Sequence, residues 1–482
     1  MLFIVIKERA GTRHKILHVD FIHSYHVLTT VRNMKKNILL INPWIYDFAA
    51  YDFWIKPLGL LYLASLLRQN RYNVHFIDCL NPYHPGISSE KHIKVPKRKA
   101  TGAGKYPKET IARPDVLRNI PKRYNRYGIT PHIFKNELLV SQKPDLIFIT
   151  SMMTYWYTGL FDTIGIIRQI MPGVPIVLGG NYVNLCKEHA EKFSGADIVI
   201  SGEGEKIIQR LLHDTLGDDP QCIPDITDLD SYPYPAYDLI VNKDQVPILT
   251  SKGCPFRCTY CASHLLNDGF RTRDPIKVVD EIEFWNTEYG ISQFSFYDDA
   301  LLVNSKDRAI PMLQEIIKRN LNCNFHCPNG LHLRDITEEL SALLYKARFQ
   351  TIRFGFETAS TKRQIESGGK ITNEETKAAI THLMNAGYKT DQIGMYILCG
   401  LPGQTATEVR DSIQFIKLCG AKPIIAEYSP IPGTFMWEEA VSIARYDIEN
   451  EPLFHNNTLL PCGGQQLSDE MYRELKMLTR EI

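Results

Sequence analysis

The sequence lacks any apolar run long enough to cross a membrane, and it carries almost no net charge. The opening segment MLFIVIKERAG is interrupted at Lys7 and Glu8, whereas a membrane-spanning helix needs about 20 apolar residues. The formal net charge is +1, and charge alone therefore indicates neither a nucleic-acid nor a membrane partner. Internal repeats and low-complexity tracts are also missing. We expect a globular, cytoplasmic protein that does not associate with membranes.

Cysteine is too scattered for a disulfide scaffold. The 482 residues include 11 cysteines, an odd number, and no secretory signal segment, which argues for a reducing compartment. A chain of this length exceeds one ordinary core, so we expect two domains and a tail. Residues 1–36 are predicted to be an extension, because Met34 leads directly into the apolar strand NILLIN. Translation that begins at Met34 is slightly favoured.

From Asn37 onward, short β-rich segments alternate with helical patterns, as is typical of a parallel sheet covered by helices. Near-continuous apolar strands indicate burial on both faces of that sheet. Residues 37–216 are therefore predicted to form a Rossmann-like, doubly wound domain with a ligand crevice at the carboxyl ends of its strands. The predicted strands are 38–41, 74–77, 146–150, 176–178 and 198–200, and the predicted helices are 58–69, 134–141, 160–171, 185–193 and 205–215.

Small and polar residues follow three of these strands and are candidates for binding a ligand. Glycine lets the backbone approach a ligand closely, and helix N-termini offer free N–H groups. Each loop alone could be an ordinary turn, but together they predict a binding crevice. The candidate residues are Thr150, Ser151, Gly179, Gly180, Asn181, Gly202 and Glu203.

The connection between the second and third strands, residues 81–127, is long and basic. The stretch 91–135 contains thirteen Lys or Arg residues against Glu109 and Asp115. A connection of this length is usually functional or disordered. Its end, RNIPKRYNRY, could hold an anionic substrate or, less favoured, nucleic acid. A solvated basic insertion is the equal alternative.

Residues 217–245 contain SYPYPAYDL, which cannot form a regular helix and is predicted to be a linker. A second α/β alternation over 246–435 predicts a partial (β/α)6 barrel with functional groups at the carboxyl ends of its strands. The tail, 436–482, ends in an amphipathic helix and is too short for a third domain. Predicted barrel strands are 246–250, 293–297, 323–326, 351–354, 392–398 and 424–427, and predicted helices are 277–289, 305–319, 337–346, 373–386, 406–419 and, in the tail, 469–478.

Three cysteines lie within the segment SKGCPFRCTYCAS: Cys254, Cys258 and Cys261. Three thiolates on one loop can hold three corners of a cubane iron–sulfur cluster and leave the fourth iron open. A zinc site, a disulfide framework and ordinary core thiols are the alternatives, but zinc prefers four ligands and no second C-x2-C pair follows. Four other cysteines make only a weak case for a second cluster and are expected to be ordinary barrel or tail residues: Cys323, Cys327, Cys399 and Cys462.

This cysteine spacing, with Gly253, Pro255 and Tyr260 around it, resembles the radical S-adenosylmethionine (radical SAM) superfamily. The resemblance implies that the three cysteines bind a [4Fe–4S] cluster. It implies that S-adenosylmethionine chelates the fourth iron and is cleaved to a 5′-deoxyadenosyl radical, with Tyr260 near the adenine. An electron donor such as flavodoxin or ferredoxin is implied as a partner.

The residues that follow the barrel strands resemble the same superfamily. By this resemblance, FYDDALL supplies Asp298 or Asp299 to the ammonium and methionine side of S-adenosylmethionine. FGFETAS supplies Glu357 as a polar contact, and GLPGQT supplies backbone near the adenine at Gly400. Each site alone could be a salt bridge at the barrel rim or a turn, but their order behind the cysteine segment favours the cofactor interpretation.

The segment PLGLLYLASLL at 57–67 and the crevice loops resemble the cobalamin-binding domain found ahead of the radical SAM core in one large subgroup. The string D-x-H-x-x-G, which places a histidine beneath the cobalt, is absent. Two possibilities stay open: cobalamin bound without a protein ligand below, which is favoured, and loss of cobalamin.

The resemblance as a whole implies a transferase that moves a methyl group to an unactivated carbon of an unknown small-molecule or anionic substrate. A cobalamin-independent radical SAM oxidoreductase or cyclase and a methylthiotransferase are alternative enzymes. A metal- or RNA-binding protein is the alternative outside enzymes.

Overall fold

The computed structural model describes residues 36–90, 92–241 and 243–481. The predicted start at Met34, and nearly all of the predicted extension, lie outside the described residues. The described chain forms two α/β units and a tail, and the tail contacts both units.

The amino-terminal unit is a parallel sheet of five strands. The helix predicted at 185–193 begins at Lys187, because Cys186 has a non-helical backbone with φ −136° and ψ 50°; Leu185 instead ends a separate helix that begins at Asn181. In chain order the elements are β1 (Asn37–Asn42), β2 (Ile45–Asp47), α1 (Leu58–Gln69), β3 (Asn73–Asp78), β4 (Lys108–Thr110), β5 (Asn125–Tyr127), α2 (Pro131–Val140), β6 (Leu146–Ile149), α3 (Tyr157–Ile170), β7 (Ile176–Leu178), α4 (Asn181–Leu185), α5 (Lys187–Phe193), β8 (Ile198–Val199) and α6 (Gly204–Leu216).

The strand order is β3-β1-β6-β7-β8, and β1, which lies between β3 and β6, shows why this sheet is doubly wound. Ile38 is in register with Val74 of β3 on one side and with Leu146 of β6 on the other. Leu39 packs into one hydrophobic core and Leu40 into another, because successive side chains of a strand point to opposite faces. Both faces are therefore covered, which confirms the predicted doubly wound fold.

The basic insertion is an ordered subdomain rather than a solvated loop. Its strands β4 and β5 join β2 in an antiparallel sheet of order β2-β5-β4. Several cations of the insertion point inward: Arg98 forms an ion pair with the buried Asp52, and Arg126 pairs with Glu109. These pairs use part of the positive charge to stabilise the subdomain itself.

The second unit is a six-stranded parallel sheet whose strands lie side by side in chain order, the open barrel that the sequence predicts. A short antiparallel hairpin, in which Ser251–Lys252 pairs with Arg271–Thr272, follows its first strand. The elements are β9 (Val246–Ile248), β10 (Ser251–Lys252), α7 (Ser263–Leu266), β11 (Arg271–Thr272), α8 (Pro275–Tyr289), β12 (Gln293–Phe296), α9 (Ala309–Lys318), β13 (Asn324–Leu331), α10 (Glu338–Lys346), β14 (Phe349–Glu357), α11 (Thr361–Glu366), α12 (Asn373–Asn385), β15 (Ile393–Cys399), α13 (Ala406–Leu418) and β16 (Lys422–Glu427).

Local sequence sets the ends of the barrel helices. Asp274 accepts hydrogen bonds from the backbone N–H groups of Ile276 and Lys277, and Pro275 occupies the first helical position of α8. Gly290 ends that helix in the left-handed conformation, with φ 68°. These are the preferred residues for starting and ending a helix.

The linker and the tail are packed against the two units. Tyr237 of the linker is buried and donates its hydroxyl hydrogen bond to the carbonyl of Pro247 at 2.5 Å. In the tail, which contains α14 (Trp437–Ile443) and α15 (Asp469–Leu478), His455 pairs with Thr154 at 2.9 Å and Asn456 donates to Asp47 at 2.8 Å. Within the described ranges, no helix combines the length and apolar character needed to span a membrane.

Candidate cofactor sites

The hairpin of β10 and β11 closes the loop that carries the three cysteines. Ser251 and Lys252 pair with Thr272 and Arg271. Gly253 follows with φ +80°, and a Cβ atom there would overlap the carbonyl oxygen of Gly269. Glycine is therefore required immediately before Cys254.

The three thiols lie close enough to influence one another. The backbone N–H of Cys261 donates to the carbonyl of Cys258 at 3.0 Å, and that of Ser263 donates to Cys261 Sγ at 3.5 Å. The pKa of the Cys261 thiol is raised to about 11, chiefly by burial and in smaller part by the neighbouring Cys258, Asp299 and Cys254. In the part of the chain described, no group of three or more His, Cys, Asp or Glu side chains is arranged to bind one metal ion. In a cubane each thiolate binds a different iron, so this donor set fits a [4Fe–4S] cluster.

The structure separates the roles of the two neighbouring aspartates. Asp298 is 4% exposed, and its carboxylate accepts hydrogen bonds from the N–H and hydroxyl of Thr250 and from the hydroxyl of Ser251. Burial raises the pKa of the Asp298 carboxyl, while these donors lower it in part. Asp299 is exposed, and one of its oxygens accepts from the Ser263 hydroxyl at 2.6 Å. Asp298 therefore holds the loop, and Asp299 is the one available to a cosubstrate.

We expect opposite results from the two matched substitutions. Asp298→Asn should lower the free energy of unfolding by about 1–3 kcal/mol, because buried donors lose their charged acceptor. Asp299→Asn should leave thermal unfolding unchanged and weaken S-adenosylmethionine binding by about 1.5–3 kcal/mol, the usual worth of a hydrogen bond to a charged group. Calorimetric unfolding and equilibrium binding measure the two effects. Equal loss of cosubstrate binding in two stably folded variants would contradict this division.

A bulge near the end of β14 positions Glu357. Gly355 is in register with Tyr396, but Glu357 is in register with Ile397, so Phe356 is the extra residue. Glu357 itself has φ +73°, an unusual conformation for a residue with a side chain. Bulges of this kind turn a side chain toward a site. The Glu357 carboxylate, 8% exposed as a residue, accepts a hydrogen bond from Tyr260 and meets Lys370 Nζ at 3.3 Å.

Two residues outside the predicted motifs border the cysteine loop. Lys370 is one of them, and the pair Gly368-Gly369 before it was the signal in the sequence; the structure gives both glycines a positive φ. The other is His332, whose ring stacks on Phe256 with centroids 4.3 Å apart. Burial lowers the pKa of His332 to about 3, and its Nδ1 has no hydrogen-bond partner among the described residues.

Gly400 is less available than the sequence suggested. Its N–H donates to Oε1 of Gln404 at 2.8 Å, and the Gln404 amide donates back to Leu398 at 3.0 Å. A Cβ at Gly400 would lie 3.3 Å from Leu460 of the tail. The glycine therefore permits a tight turn beneath the tail, and its contact with adenine stays a prediction.

The crevice predicted in the amino-terminal unit is present as a cavity of about 320 Å³. Its inner wall is apolar, with Leu60, Phe148 and Ile208 among the lining side chains, and its rim is rich in glycine. Six of the predicted residues line it: Thr150, Gly179, Gly180, Asn181, Gly202 and Glu203. The seventh, Ser151, lies just behind, where its hydroxyl donates to the carbonyl of Gly179 at 2.7 Å.

The glycines of this crevice have different constraints. A Cβ at Gly180, where φ is +100°, would collide with the backbone of Ser151, so this glycine is needed for folding. A Cβ at Gly179 would have only the carbonyl of Ile200 nearby, at 3.7 Å, and would project into open space. No histidine is among the described side chains that line the cavity. The apolar inner wall and the small residues of the rim suit a surface on which one face of a large planar cofactor lies, with no histidine among the lining residues beneath it.

Ion pairs join the crevice to the cysteine hairpin. Glu203 pairs with Arg271, and Lys252 lies 2.9 Å from Glu205 and 3.8 Å from Glu203. Lys206 pairs with Asp268. Glu203, predicted as a ligand-binding residue, thus lines the crevice while its carboxylate contacts the other unit.

A further cavity of about 310 Å³ lies at the carboxyl end of β16, between the basic insertion and the tail. Glu427, the last residue of β16, meets Lys476 of α15 at 3.1 Å. The cations that line this cavity outnumber its acidic residues: Lys108, Lys122, Arg123 and Lys476 face only Glu427. Burial lowers the pKa of Lys122, whose ammonium donates to the carbonyl of Thr458.

Comparison with known families identifies both units. The model of the radical SAM superfamily matches residues 248–416, and that of the B12 binding domain matches residues 136–212. An uncharacterized methyltransferase, PH0819, of Pyrococcus horikoshii is 28% identical over 333 residues, 62% of this chain and 70% of the relative. An anaerobic magnesium-protoporphyrin IX monomethyl ester cyclase of Cereibacter sphaeroides is 24% identical over 339 residues, 63% of this chain and 54% of the relative.

A solved structure has the same fold over most of the chain. The radical S-adenosylmethionine methyltransferase TsrM from Kitasatospora setae, with cobalamin and a [4Fe–4S] cluster bound, superposes with a TM-score of 0.62 at 17% identity. The match covers 85% of this chain and 76% of TsrM. By these two family models, the chain carries a radical SAM domain over residues 248–416 and an amino-terminal B12 binding domain over residues 136–212. It is a radical SAM enzyme, and the family model spans the loop that carries Cys254, Cys258 and Cys261.

Proposed function

We propose that this enzyme transfers a methyl group to an unactivated carbon of an anionic small molecule. The observation that carries the proposal is the fixed contact between the cobalamin crevice and the cysteine hairpin through Glu203, Lys252 and Arg271. When bound, the cofactors supply a methyl carrier on one side and a radical that activates carbon on the other. A reaction that needs both at one carbon requires their binding loops to face each other.

The residues of this chain take three parts in the proposed reaction. Cys254, Cys258 and Cys261 hold the cluster, and Asp299 and Glu357 bind S-adenosylmethionine beside it. The crevice glycines and Thr150 cradle the corrin, and Ser151 holds the loop behind them. The apolar inner wall of the crevice keeps water from the cofactor, which suits chemistry with reactive intermediates.

The basic cavity at the end of β16 supports the proposal that the substrate is an anion. Among the described residues, the Arg123 side chain has no hydrogen-bond or ion-pair partner. The Lys108 ammonium lies over the ring of Tyr127, 5.8 Å from its centroid. These cations stand at the carboxyl edge of the barrel, where substrates of such folds bind. We therefore assign Lys108 and Arg123 to a phosphate or carboxylate of the substrate, and favour a small molecule over nucleic acid.

The test of the function is an anaerobic assay with the reconstituted, cobalamin-loaded enzyme, S-adenosylmethionine labelled in its methyl group, and a reductant such as flavodoxin with its reductase. Acidic metabolites from cells of the source organism serve as acceptors. Methyl transfer predicts a product that carries the label, together with 5′-deoxyadenosine and S-adenosylhomocysteine. The cyclase and oxidoreductase alternative, favoured by the second relative, predicts 5′-deoxyadenosine without labelled product. That result would replace the proposal.

Once an acceptor is known, the basic cavity can be tested by kinetics. Replacing Lys108 and Arg123 together by glutamine should raise KM at least about tenfold and leave kcat nearly unchanged, because they would bind ground state and transition state equally. Arg118→Gln, an exposed cation of the same insertion outside the cavity, is the matched control. An unchanged KM in the double variant would refute the anion site.

The cytoplasm is the proposed compartment. All 11 cysteines of the chain are free, and disulfides are rare in reducing compartments. A protein that keeps so many thiols and depends on an iron–sulfur cluster suits such a compartment.

A further inference from the structure

Lys370 brings a buried ammonium to the side of the cysteine loop. Its side chain is 14% exposed, and Nζ lies 3.3 Å from Oε1 of Glu357. The turn before it touches the loop directly: the N–H of Thr259 donates to the carbonyl of Ser367 at 3.3 Å, and a Cβ at Gly368 would lie 3.4 Å from Cα of Cys258. Backbone contacts therefore fix the lysine relative to the cysteines.

Gly355 leaves the room in which this ion pair sits. A Cβ at Gly355 would lie 2.5 Å from Lys370 Nζ and 2.6 Å from Oε1 of Glu357. The bulge after Gly355 and the positive φ of Glu357 turn the carboxylate toward the same place. The backbone of β14 is thus shaped around the two charges.

Both charges lie beside the cluster ligands. The Glu357 carboxylate accepts a hydrogen bond from Tyr260, which lies between Cys258 and Cys261 in the loop. Lys370 lies against that carboxylate, two residues after the glycine that packs on Cys258, and it is near enough to Cys258 and Cys254 for electrostatic interaction with both. The lysine is therefore a buried cation beside two of the three cluster ligands.

We propose that Lys370 is a positioning residue that raises the reduction potential of the cluster, and that Glu357 moderates this effect. The step is the entry of one electron from a low-potential donor, which makes the cluster more negative by one charge and breaks no bond. A fixed cation favours the more negative state, and the attraction is larger where water is excluded. Net charge and nearby hydrogen bonds are known determinants of cluster potentials. The inference requires the cluster of the proposed function but not methyl transfer.

The test is a redox titration of the reconstituted enzyme without S-adenosylmethionine or substrate, with the reduced cluster measured by electron paramagnetic resonance. Lys370→Gln should lower the ratio of reduced to oxidised cluster about tenfold at a given ambient potential, a shift of about 59 mV for one electron. Glu357→Gln should shift the ratio in the opposite direction. Lys370→Arg should keep the wild-type ratio, because it keeps the charge.

Lys362→Gln is the matched control, since this lysine is 86% exposed and lies on α11, a few residues before Lys370. Its titration should equal that of the wild type. A merely structural role for Lys370 predicts loss of cluster or of stability without opposite shifts from Lys370 and Glu357. If Lys370→Gln fails to retain iron, Glu357→Gln decides alone, and an unchanged or lower potential there overturns the proposal. If both shifts are observed but the wild-type enzyme transfers no methyl group, only the proposed function is refuted.

Discussion

Replacing Cys254, Cys258 and Cys261 together by alanine is expected to give a folded protein that binds no cluster and cleaves no S-adenosylmethionine. The loop is held by the β10–β11 pairing and by Gly253, and these contacts do not depend on the thiols. The thiolates, in contrast, are the attachment of the cluster to the protein. Iron and sulfide analysis after anaerobic reconstitution, with detection of 5′-deoxyadenosine, measures the result.

Cys222→Ala provides the control, because this cysteine is exposed and distant in sequence from the loop. It should retain wild-type iron, sulfide and cleavage. Circular dichroism and thermal unfolding establish that the triple variant is folded. A folded triple variant that still holds about four irons and four sulfides, the content of one cubane, would show that the cluster is bound elsewhere.

Gly179→Leu is expected to abolish cobalamin binding while the cluster is retained. A side chain there projects into the cavity of about 320 Å³ without meeting backbone closely. It would occupy space that the corrin needs, and clashes of this size are not relieved by small shifts in a packed site. Corrinoid absorption of protein purified anaerobically from cells supplied with cobalamin measures the loss, and iron analysis measures the cluster in the same sample.

Gly165→Leu is a suitable control for that variant. Gly165 lies on α3, is exposed, and has no atom within 4 Å of an added Cβ. Gly180 is a poor choice, because a side chain there strikes the backbone of Ser151 and would disturb folding as well as binding. If Gly179→Leu contains as much corrinoid as the wild type, cobalamin binds outside this crevice.

The cobalamin bound to the wild-type enzyme in that experiment also tests which ligand, if any, lies beneath the cobalt. No histidine is among the described residues lining the crevice, so the reduced, cobalamin-loaded enzyme should show no nitrogen hyperfine splitting from imidazole. Such splitting would assign a histidine from elsewhere in the chain to the lower face.

The sequence predicted the fold well because strand periodicity and strand-end residues depend on local pattern. Ile38 to Ile41 read as a strand buried on both faces, and the structure confirms this. Helix α1 begins and ends at the predicted residues. The short helix α11 was missed, because six residues are too few to show a helical period.

The candidate sites were predicted only in part, because the roles of charged residues depend on contacts far along the chain. Asp298 and Asp299 are adjacent in sequence, yet only the structure shows that Thr250 and Ser251 saturate the first. Glu203 was expected to face a ligand, but its partner Arg271 is 68 residues away. Lys370 gave no periodic signal, because a turn rather than a strand end brings it to the cysteines.

The ion pairs of Glu203 have a consequence for selectivity. The Glu203 side chain lines the crevice and also forms an ion pair with the hairpin that encloses the cysteine loop. The separation between the two cofactors is therefore built into the folded chain. A substrate must then span a gap of fixed width, and molecules that are too short or too long would present the wrong atom to one cofactor. If the proposed anion site at Lys108 and Arg123 holds one end of the substrate, the distance from that end would determine which carbon reacts.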